Sequence, residues 1–419
     1  MSSTPTEAGS ELVLDVGAPA AGGGFVARAD DGRVVFVRHA LPGERVRARV
    51  TSATSSFLRA DAVEVLEASP DRVEPPCPYA RPGRCGGCDW QHVALPRQRQ
   101  LKAQLVAEQL RRLAGIDLEP VVEQVPGAPD GLGWRTRVQL AVDRAGRPGL
   151  HRHRSRELEL VDRCLIAAPE VEAVGAERLR WPGAEAVEVT GADGQRVVAV
   201  ASRHRARPRL PELDEHVGLT VDGRPLRVPH GVVHTVLGRR FEVAAGGFWQ
   251  VHVGAAEVLA KAVLDGLDPR PGERAVDLFS GAGLFAALIG ERVGERGAVV
   301  AVEADRRACT DAARNTADLP QVRTVMAPVT PELVRGLDPP DLVVLDPPRA
   351  GAGLAVTAAL TGLRPRRLAY LACDPASFAR DLRVLLDAGW TLTALRALDL
   401  FPMTEHVELV ALLEPPSSP

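Results

Sequence analysis

The chain is expected to be an α/β protein, with a doubly wound, mostly parallel sheet in its C-terminal part behind a small β unit and a mixed central region. Three observations predict this. From about residue 245 onward, short apolar runs alternate with helical stretches, the pattern of parallel βαβ units. Residues 10 to 67 hold short runs rich in β-branched residues, separated by glycine-containing turns. At 419 residues the chain is also long enough for two or three domains.

Taken in order, the first unit has strand-like runs at 12–16, 24–28, 33–37, 44–50 and 57–66, with turns at 22–24, 30–32 and 41–43. Five strands of this length suit an oligonucleotide-binding-type barrel. Arg45, Arg47 and Arg49 alternate along one run and so share a face, either a solvated surface or a contact for RNA phosphates. Residues 70–76 read as a linker. Beyond it, Leu101, Leu105, Leu110 and Leu113 give an amphipathic helix over 97–113, with Arg97, Arg99, Lys102, Arg111 and Arg112 at its ends. Strands are expected around 136–142 and 157–161, and proline-rich, irregular connections around 205–230. The C-terminal strands are expected at 274–279, 298–303, 322–326, 342–346 and 367–372. Two more, at 391–398 and 406–413, are joined by a short connector and should pair antiparallel. The domain boundaries that follow are 1–69, 75–240 and 241–419.

Composition narrows the class. Hydrophobic residues at 45% and charged residues at 25% match a soluble globular protein. No apolar run approaches the roughly 18 residues of a membrane span, and the start lacks the features of a secretory signal. A cytoplasmic location is therefore the expectation. A net charge of −3 exerts no overall pull on nucleic acid, so local clusters matter more. Arg144, Arg147, Arg152, Arg154 and Arg156, with His151 and His153, form one such cluster, either a solvated hairpin or a phosphate-binding arm. Six cysteines in a cytosolic chain argue for metal or catalytic work rather than a disulfide framework.

The carboxyl ends of the C-terminal strands carry the sharper signals. Asp277-Leu-Phe-Ser-Gly-Ala-Gly283 opens a helix, and Gly281 and Gly283 allow a tight turn and close approach of a ligand. Glu303 ends the next strand, about 20 residues on, where a carboxylate can hold ribose hydroxyls. Any ribose-bearing cofactor would fit these two features. Asp346-Pro-Pro-Arg349 shifts the reading toward base methylation, because nicotinamide enzymes have no use for that element, whereas a related acid-Pro-Pro-aromatic form serves amino-group methylation. Arg349 in place of the aromatic weakens the amino-group version. Cys373, in Cys373-Asp-Pro, adds a thiol, and Glu405 and Glu408 are two candidate proton acceptors. Carbon 5 of uracil needs this combination: a thiolate added at carbon 6 makes carbon 5 nucleophilic, and a base then removes its proton.

At these residues the chain resembles the RNA 5-methyluridine methyltransferase family, in its TRAM-containing, iron–sulfur branch, over nearly its whole length. The resemblance implies a class I methyltransferase domain behind an N-terminal, OB-like TRAM barrel and a central α+β region that binds RNA. It makes Cys373 the nucleophile and Glu408 the base. It makes Gln250, in Phe248-Trp-Gln-Val-His252, together with Asp277, Phe279, Gly281, Glu303 and Asp346, the contacts for S-adenosylmethionine. Asp374 and His252 stand where the family has Asn, and Leu284 where some members have a polar residue. The implied substrate is structured RNA, with ribosomal RNA favoured and transfer RNA the alternative, and a monomer is the expectation. The other readings are an amino-group methyltransferase and an RNA-binding factor without catalysis.

Cys77-x7-Cys85-x2-Cys88, with Cys164 far downstream, supplies four thiolates. Four cysteines suit a cubane cluster or a zinc ion, but a zinc ribbon has two Cys-x2-Cys knuckles and this chain has one. The resemblance implies a 4Fe-4S cluster, with Pro82-Gly83 in a first spacing two residues longer than the family's. Cys309 reads as structural.

Overall fold

The computed structural model describes residues 7–204 and 207–416. Its first unit is a six-stranded sheet of β1 (Glu11–Asp15), β2 (Pro19–Ala20), β3 (Gly24–Arg28), β4 (Val34–Arg38), β5 (Arg45–Ala53) and β6 (Phe57–Glu67), in the order β1-β5-β6-β4-β3-β2. The five expected runs are all strands. The two edge strands are consecutive in sequence, and the connector from β1 to β2 extends the pairing with β3: Gly17 N donates to Val26 O and Val26 N to Ala18 O, at 2.7 and 2.9 Å. Phe25, Val35, Val37, Val46 and Leu58 fill the inside, and Trp90 from the next segment stacks on Phe25 at 6.0 Å. Arg47 and Arg49 face outward and are paired with Glu64 and Glu11.

Helix α1 (Leu95–Gln109) runs on through a π turn at Leu110–Ala114, with Leu101, Leu105 and Leu110 buried as expected. Lys102 departs from expectation. Rather than decorating an end of the helix, it is fully buried, and its Nζ donates to Asp399 Oδ1 at 2.6 Å and to Phe401 O at 2.9 Å. Its partner lies 297 residues away, beyond the reach of any local pattern.

After β7 (Val122–Gln124) comes a seven-stranded sheet. It contains β8 (Arg137–Val142), β9 (Pro148–His151), β10 (Leu158–Glu159), β11 (Ala184–Ala192), β12 (Gln195–Ser202), β13 (Val217–Val221) and β14 (Arg224–Arg227), with the short helix α2 (Pro169–Glu172) before β11. The stretch expected to be irregular thus holds two strands. Its prolines are tolerated because they fall between strands or, as Pro225, on the edge strand β14, where a missing amide costs little. Residues 205 and 206 of that stretch lie outside the described residues. A hairpin of β15 (Gly231–Val236) and β16 (Arg239–Ala244) leads into the last unit.

That unit alternates α3 (Ala255–Leu267), β17 (Arg274–Leu278), α4 (Leu284–Val293), β18 (Ala298–Glu303), α5 (Arg306–Asn315), β19 (Val322–Met326), α6 (Pro331–Arg335), β20 (Leu342–Leu345), α7 (Leu354–Leu360), β21 (Arg367–Ala372), α8 (Pro375–Asp387), β22 (Thr391–Asp399) and β23 (Glu408–Glu414). The sheet order is β19-β18-β17-β20-β21-β23-β22-β7, with β23 antiparallel to both of its neighbours, as the hairpin expectation required. Helices α3 and α4 cover one face, and α1, α7 and α8 the other. The central region reaches across the boundary expected at 241: α1 packs on one face of the sheet, and β7 closes its edge parallel to β22. Chain order reverses at β17 and β20, the neighbours whose connections run to opposite sides, and such a switch point leaves a crevice outside the carboxyl ends. No helix among the described residues is long and apolar enough to cross a membrane.

Candidate functional site

The crevice is lined by carboxylates. Asp277, fully buried at the end of β17, accepts from Ala286 N at 2.9 Å through Oδ2, while Oδ1 is buried without a partner. Burial, followed by the charges of Asp346 and Glu303, holds this carboxyl well above the usual range. The chain then turns through Phe279 at φ +64° and Gly281 at +54°. A non-glycine residue in that region is uncommon and marks a backbone that its surroundings constrain. Glu303 accepts from Gly281 N at 2.9 Å and Asp305 N at 2.7 Å, so it braces the turn from the next strand. A side chain at Gly281 would meet only Phe248, at 4.0 Å, so its backbone is open to an approaching ligand.

Gln250 lies in the loop before α3, its Nε2 3.5 Å from Asp346 Oδ2. That loop is held by the segment leading into β8. Thr136 donates to Val251 O through N and Oγ1 (2.7 and 3.0 Å), Val253 N donates to Trp134 O at 2.9 Å, and Arg137 Nη1 to Gly247 O at 2.7 Å. His252 is buried, accepts from Gly254 N and stacks on Trp134 at 5.8 Å. Burial lowers its pKa to about 4, so the ring is neutral at physiological pH. Leu284 begins α4 and is buried.

Strand register brings the remaining groups together. Ala372 on β21 is paired with Leu409 on β23, so the next step puts Cys373 opposite Glu408. Asp346 follows β20, on the other side of β21. Pro375 starts α8, and Asp374 caps it by accepting from Ser377 N at 2.7 Å, a role that Asn would fill as well. Glu408 is 4% exposed, and burial, reinforced by the charge of Asp346 and opposed by Arg349, keeps its carboxyl well above the usual range. Burial also pushes Asp346 up to about 7. Burial and then the charge of Glu408 raise the Cys373 thiol to about 11, against the pull of Arg349. Arg349 is exposed and lies 3.3 Å from His406 Nε2. Burial and then Arg349 lower the His406 pKa to about 4, so the ring is neutral and can accept from that guanidinium.

Glu405, the other candidate acceptor, points elsewhere. Its Oε2 accepts from Gly22 N and Gly23 N of the first unit, each at 2.6 Å. Nothing in the sequence indicated this contact, nor the bracing of the Gln250 loop by Trp134 and Thr136, since both join segments over a hundred residues apart.

The four expected cysteines of the central region gather around one cavity of about 30 Å³, with Ala80, Leu150, Val161, Leu165 and Ile166 among its walls. All are free thiols. Burial raises Cys164 to about 11 and Cys88 further still, each with a contribution from neighbouring cysteines. Among the described residues, no three His, Cys, Asp or Glu side chains are close enough to hold a single metal ion. In the arginine-rich connection, Arg147 is paired with Asp143, and Arg152 with Glu157 and Glu159. Cys309 sits on α5.

The sheet order, the turn after β17 and the acidic crevice define a class I methyltransferase fold. Over almost the full length of both, the fold matches the crystal structure of a Pyrococcus abyssi tRNA (uracil-54, C5)-methyltransferase in complex with S-adenosyl-L-homocysteine. The TM-score is 0.71, covering 96% of this chain and 100% of that one, at 20% identity. Residues 5–63 match the TRAM domain model. An uncharacterized RNA methyltransferase of Streptomyces avermitilis is 50% identical, covering 97% of this chain and 99% of that one. A 23S rRNA (uracil(1939)-C(5))-methyltransferase RlmD of Alkalilimnicola ehrlichii is 34% identical, covering 92% of each. The chain belongs to this family of TRAM-containing RNA methyltransferases.

Proposed function

We propose that the chain transfers a methyl group from S-adenosylmethionine to carbon 5 of a uracil in structured ribosomal RNA, with Cys373 as nucleophile and Glu408 as base. The observation that carries this is the register of β21 and β23, which sets Cys373, just past the end of β21, opposite Glu408, next to Asp346. The ribosomal assignment is supported by the substrate in the name of the Alkalilimnicola relative.

The residues fit the chemistry in order. The Cys373 thiolate bonds to carbon 6, and the displaced π electrons make carbon 5 nucleophilic. S-adenosylmethionine, when bound, supplies a methyl group on a sulfonium and leaves as the neutral thioether. Glu408 then takes the carbon 5 proton; the electrons of that C–H bond restore the ring double bond, and the thiolate departs with its bonding pair. A raised carboxyl pKa makes Glu408 a better proton acceptor. In the free protein burial favours the protonated forms of Asp346, Glu408 and Cys373, and Arg349 opposes it at Glu408 and Cys373. A cationic sulfonium would reverse that balance and favour the thiolate. Cofactor binding would thereby arm the cysteine. Gln250, Asp277, Phe279, Gly281, Glu303 and Asp346 are the cofactor contacts in this reading, supported by the unpartnered Asp277 Oδ1 and the open backbone at Gly281.

Cys77, Cys85, Cys88 and Cys164 are proposed to hold a 4Fe-4S cluster. One zinc ion would draw four thiolates to within roughly 4 Å of each other. A cubane ligates each cysteine through a different iron, which suits four thiols spread around an apolar cavity. Residues 1–69, 75–240 and 241–419 would then serve as RNA-binding, cluster-bearing and methyl-transferring units. The target uridine must leave its stack to reach Cys373.

RNA carrying 5-fluorouridine tests the reaction, because fluorine at carbon 5 cannot leave as a proton. The wild type should become covalently trapped and Cys373→Ala should not. Methylation of ordinary RNA by Cys373→Ala at wild-type rate would overturn the proposal.

A further inference from the structure

We propose that Glu405 is a positioning residue that makes the N-terminal domain part of the methyl-transfer site, by latching the loop ahead of Glu408 to the Gly22–Gly23 turn. This rests on the reading of Glu408 as base.

The latch is specific on both sides. Two successive amide N–H groups converge on one carboxylate oxygen at 2.6 Å each, the charge-assisted arrangement of a backbone anion nest. The turn can present them because it is made of glycine: Gly22 and Gly23 have φ of +95° and +76°, and a Cβ at Gly23 would lie 2.5 Å from Asp89 Cγ. The carbonyl of the same Gly23 accepts from Trp90 Nε1 at 3.1 Å, so the turn is itself held in place.

The loop between β22 and β23 has two sets of anchors. Its first half is fixed from α1 and the segment before it. Lys102 Nζ donates to Phe401 O, Met403 N donates to Gln98 Oε1 at 2.8 Å, and Trp90 N donates to Met403 O at 2.9 Å. Its second half is fixed by Glu405. The next residue, His406, meets Arg349, and two residues further Glu408 enters the strand opposite Cys373. Among the described residues, Glu405 is thus the last side chain of the loop, on the approach to the proposed base, that hydrogen-bonds to a group outside the C-terminal sheet and its helices. A domain that served only to recruit RNA would have no reason to hold this loop.

Loss of the latch should misplace Glu408 and slow removal of the carbon 5 proton, the step after methyl transfer. Glu405→Ala, in the full-length chain with ordinary uridine RNA, should lower kcat about 10- to 100-fold, the scale of an ångström-sized misplacement. Its RNA Kd should stay within about twofold, and a covalent protein–RNA adduct that the wild type does not accumulate should appear on denaturing gels. Glu405→Gln keeps an oxygen for both amides and should restore most of kcat. Glu405→Asp keeps the charge but is one methylene short, and it should behave like the alanine variant at an unchanged melting temperature. That variant carries the test if Glu405→Ala does not fold. Unchanged kcat with a raised KM in these variants, or slower turnover without adduct, would overturn the latch. If the wild type forms no adduct with 5-fluorouridine RNA, the underlying reading fails and the latch falls with it. If trapping is normal but Glu405→Ala and Glu405→Asp turn over like the wild type, only the latch fails.

Discussion

Burial pushes the thiols of Cys373 and Cys164 up, each to about 11. Their neighbours differ. Cys373 faces two carboxylates and a guanidinium, groups that can move a proton or respond to a cation. Cys164 also feels one guanidinium and one carboxylate, Arg135 and Glu177, but it sits beside Cys85 and Cys88 on a largely apolar cavity. The acidity of a buried thiol therefore does not separate the proposed nucleophile from the proposed ligand. Its neighbours do, because only they determine whether a thiolate, once formed, meets a reacting carbon or a metal.

The comparison can be broken most decisively by exchanging losses between the two pockets. Cys373→Ala should lower methyl transfer by on the order of 10⁴-fold or more, while metal content per chain stays at the wild-type level. Metal analysis beside a radiolabelled-methyl assay reads both at once. Glu408→Gln should cost roughly 10²- to 10⁴-fold, the range for a general base, and should leave the Cys373 adduct able to form. Glu405→Gln should remain close to wild type, so equal losses in the two glutamine variants would undo the assignment of the base. Cys164→Ser should release the metal and lower stability by on the order of 2 kcal/mol, read by thermal unfolding, because a ligand bound only to the folded state is lost. Trapping on 5-fluorouridine RNA should survive that change. A colourless, iron-free protein after anaerobic purification would remove the cluster.

The smallest effect concerns pH. Asp346 has a pKa raised to about 7 in the free protein, so it is charged above that pH and neutral below it. A sulfonium prefers the charged form. Affinity for S-adenosylmethionine should thus be level above pH 7 and weaken below it, by at most about tenfold per unit for one group. S-adenosylhomocysteine, which lacks the positive sulfur, should show much less of this dependence in titration calorimetry. Parallel curves for the two compounds would remove Asp346 from the neighbourhood of the sulfonium.

Much of the C-terminal architecture was legible because its signals are local. Alternating apolar runs and helical stretches mark βαβ units, and Asp277, Glu303, Asp346 and Cys373 all fall at the ends of such runs, hence at one edge. The central region was less legible. Its strands at 217–221 and 224–227 are short, and the second contains a proline, so composition alone reads the stretch as a connection. The expected solvent position of Lys102 failed for a related reason: helical periodicity places a side chain on a face but does not reveal a buried carboxylate waiting there.

The succession of strands and helices along the C-terminal part, the acidic strand ends and the spacing of the cysteines were thus determined by the sequence alone, since each depends on residues close together in the chain. Which glutamate stands beside Cys373, and which one grips the N-terminal domain, was decided only in three dimensions. Glu405 and Glu408 are three residues apart and alike in chemistry. They part because one enters a strand whose register sets it opposite Cys373, while the other meets two amide groups contributed by a turn 382 and 383 residues earlier.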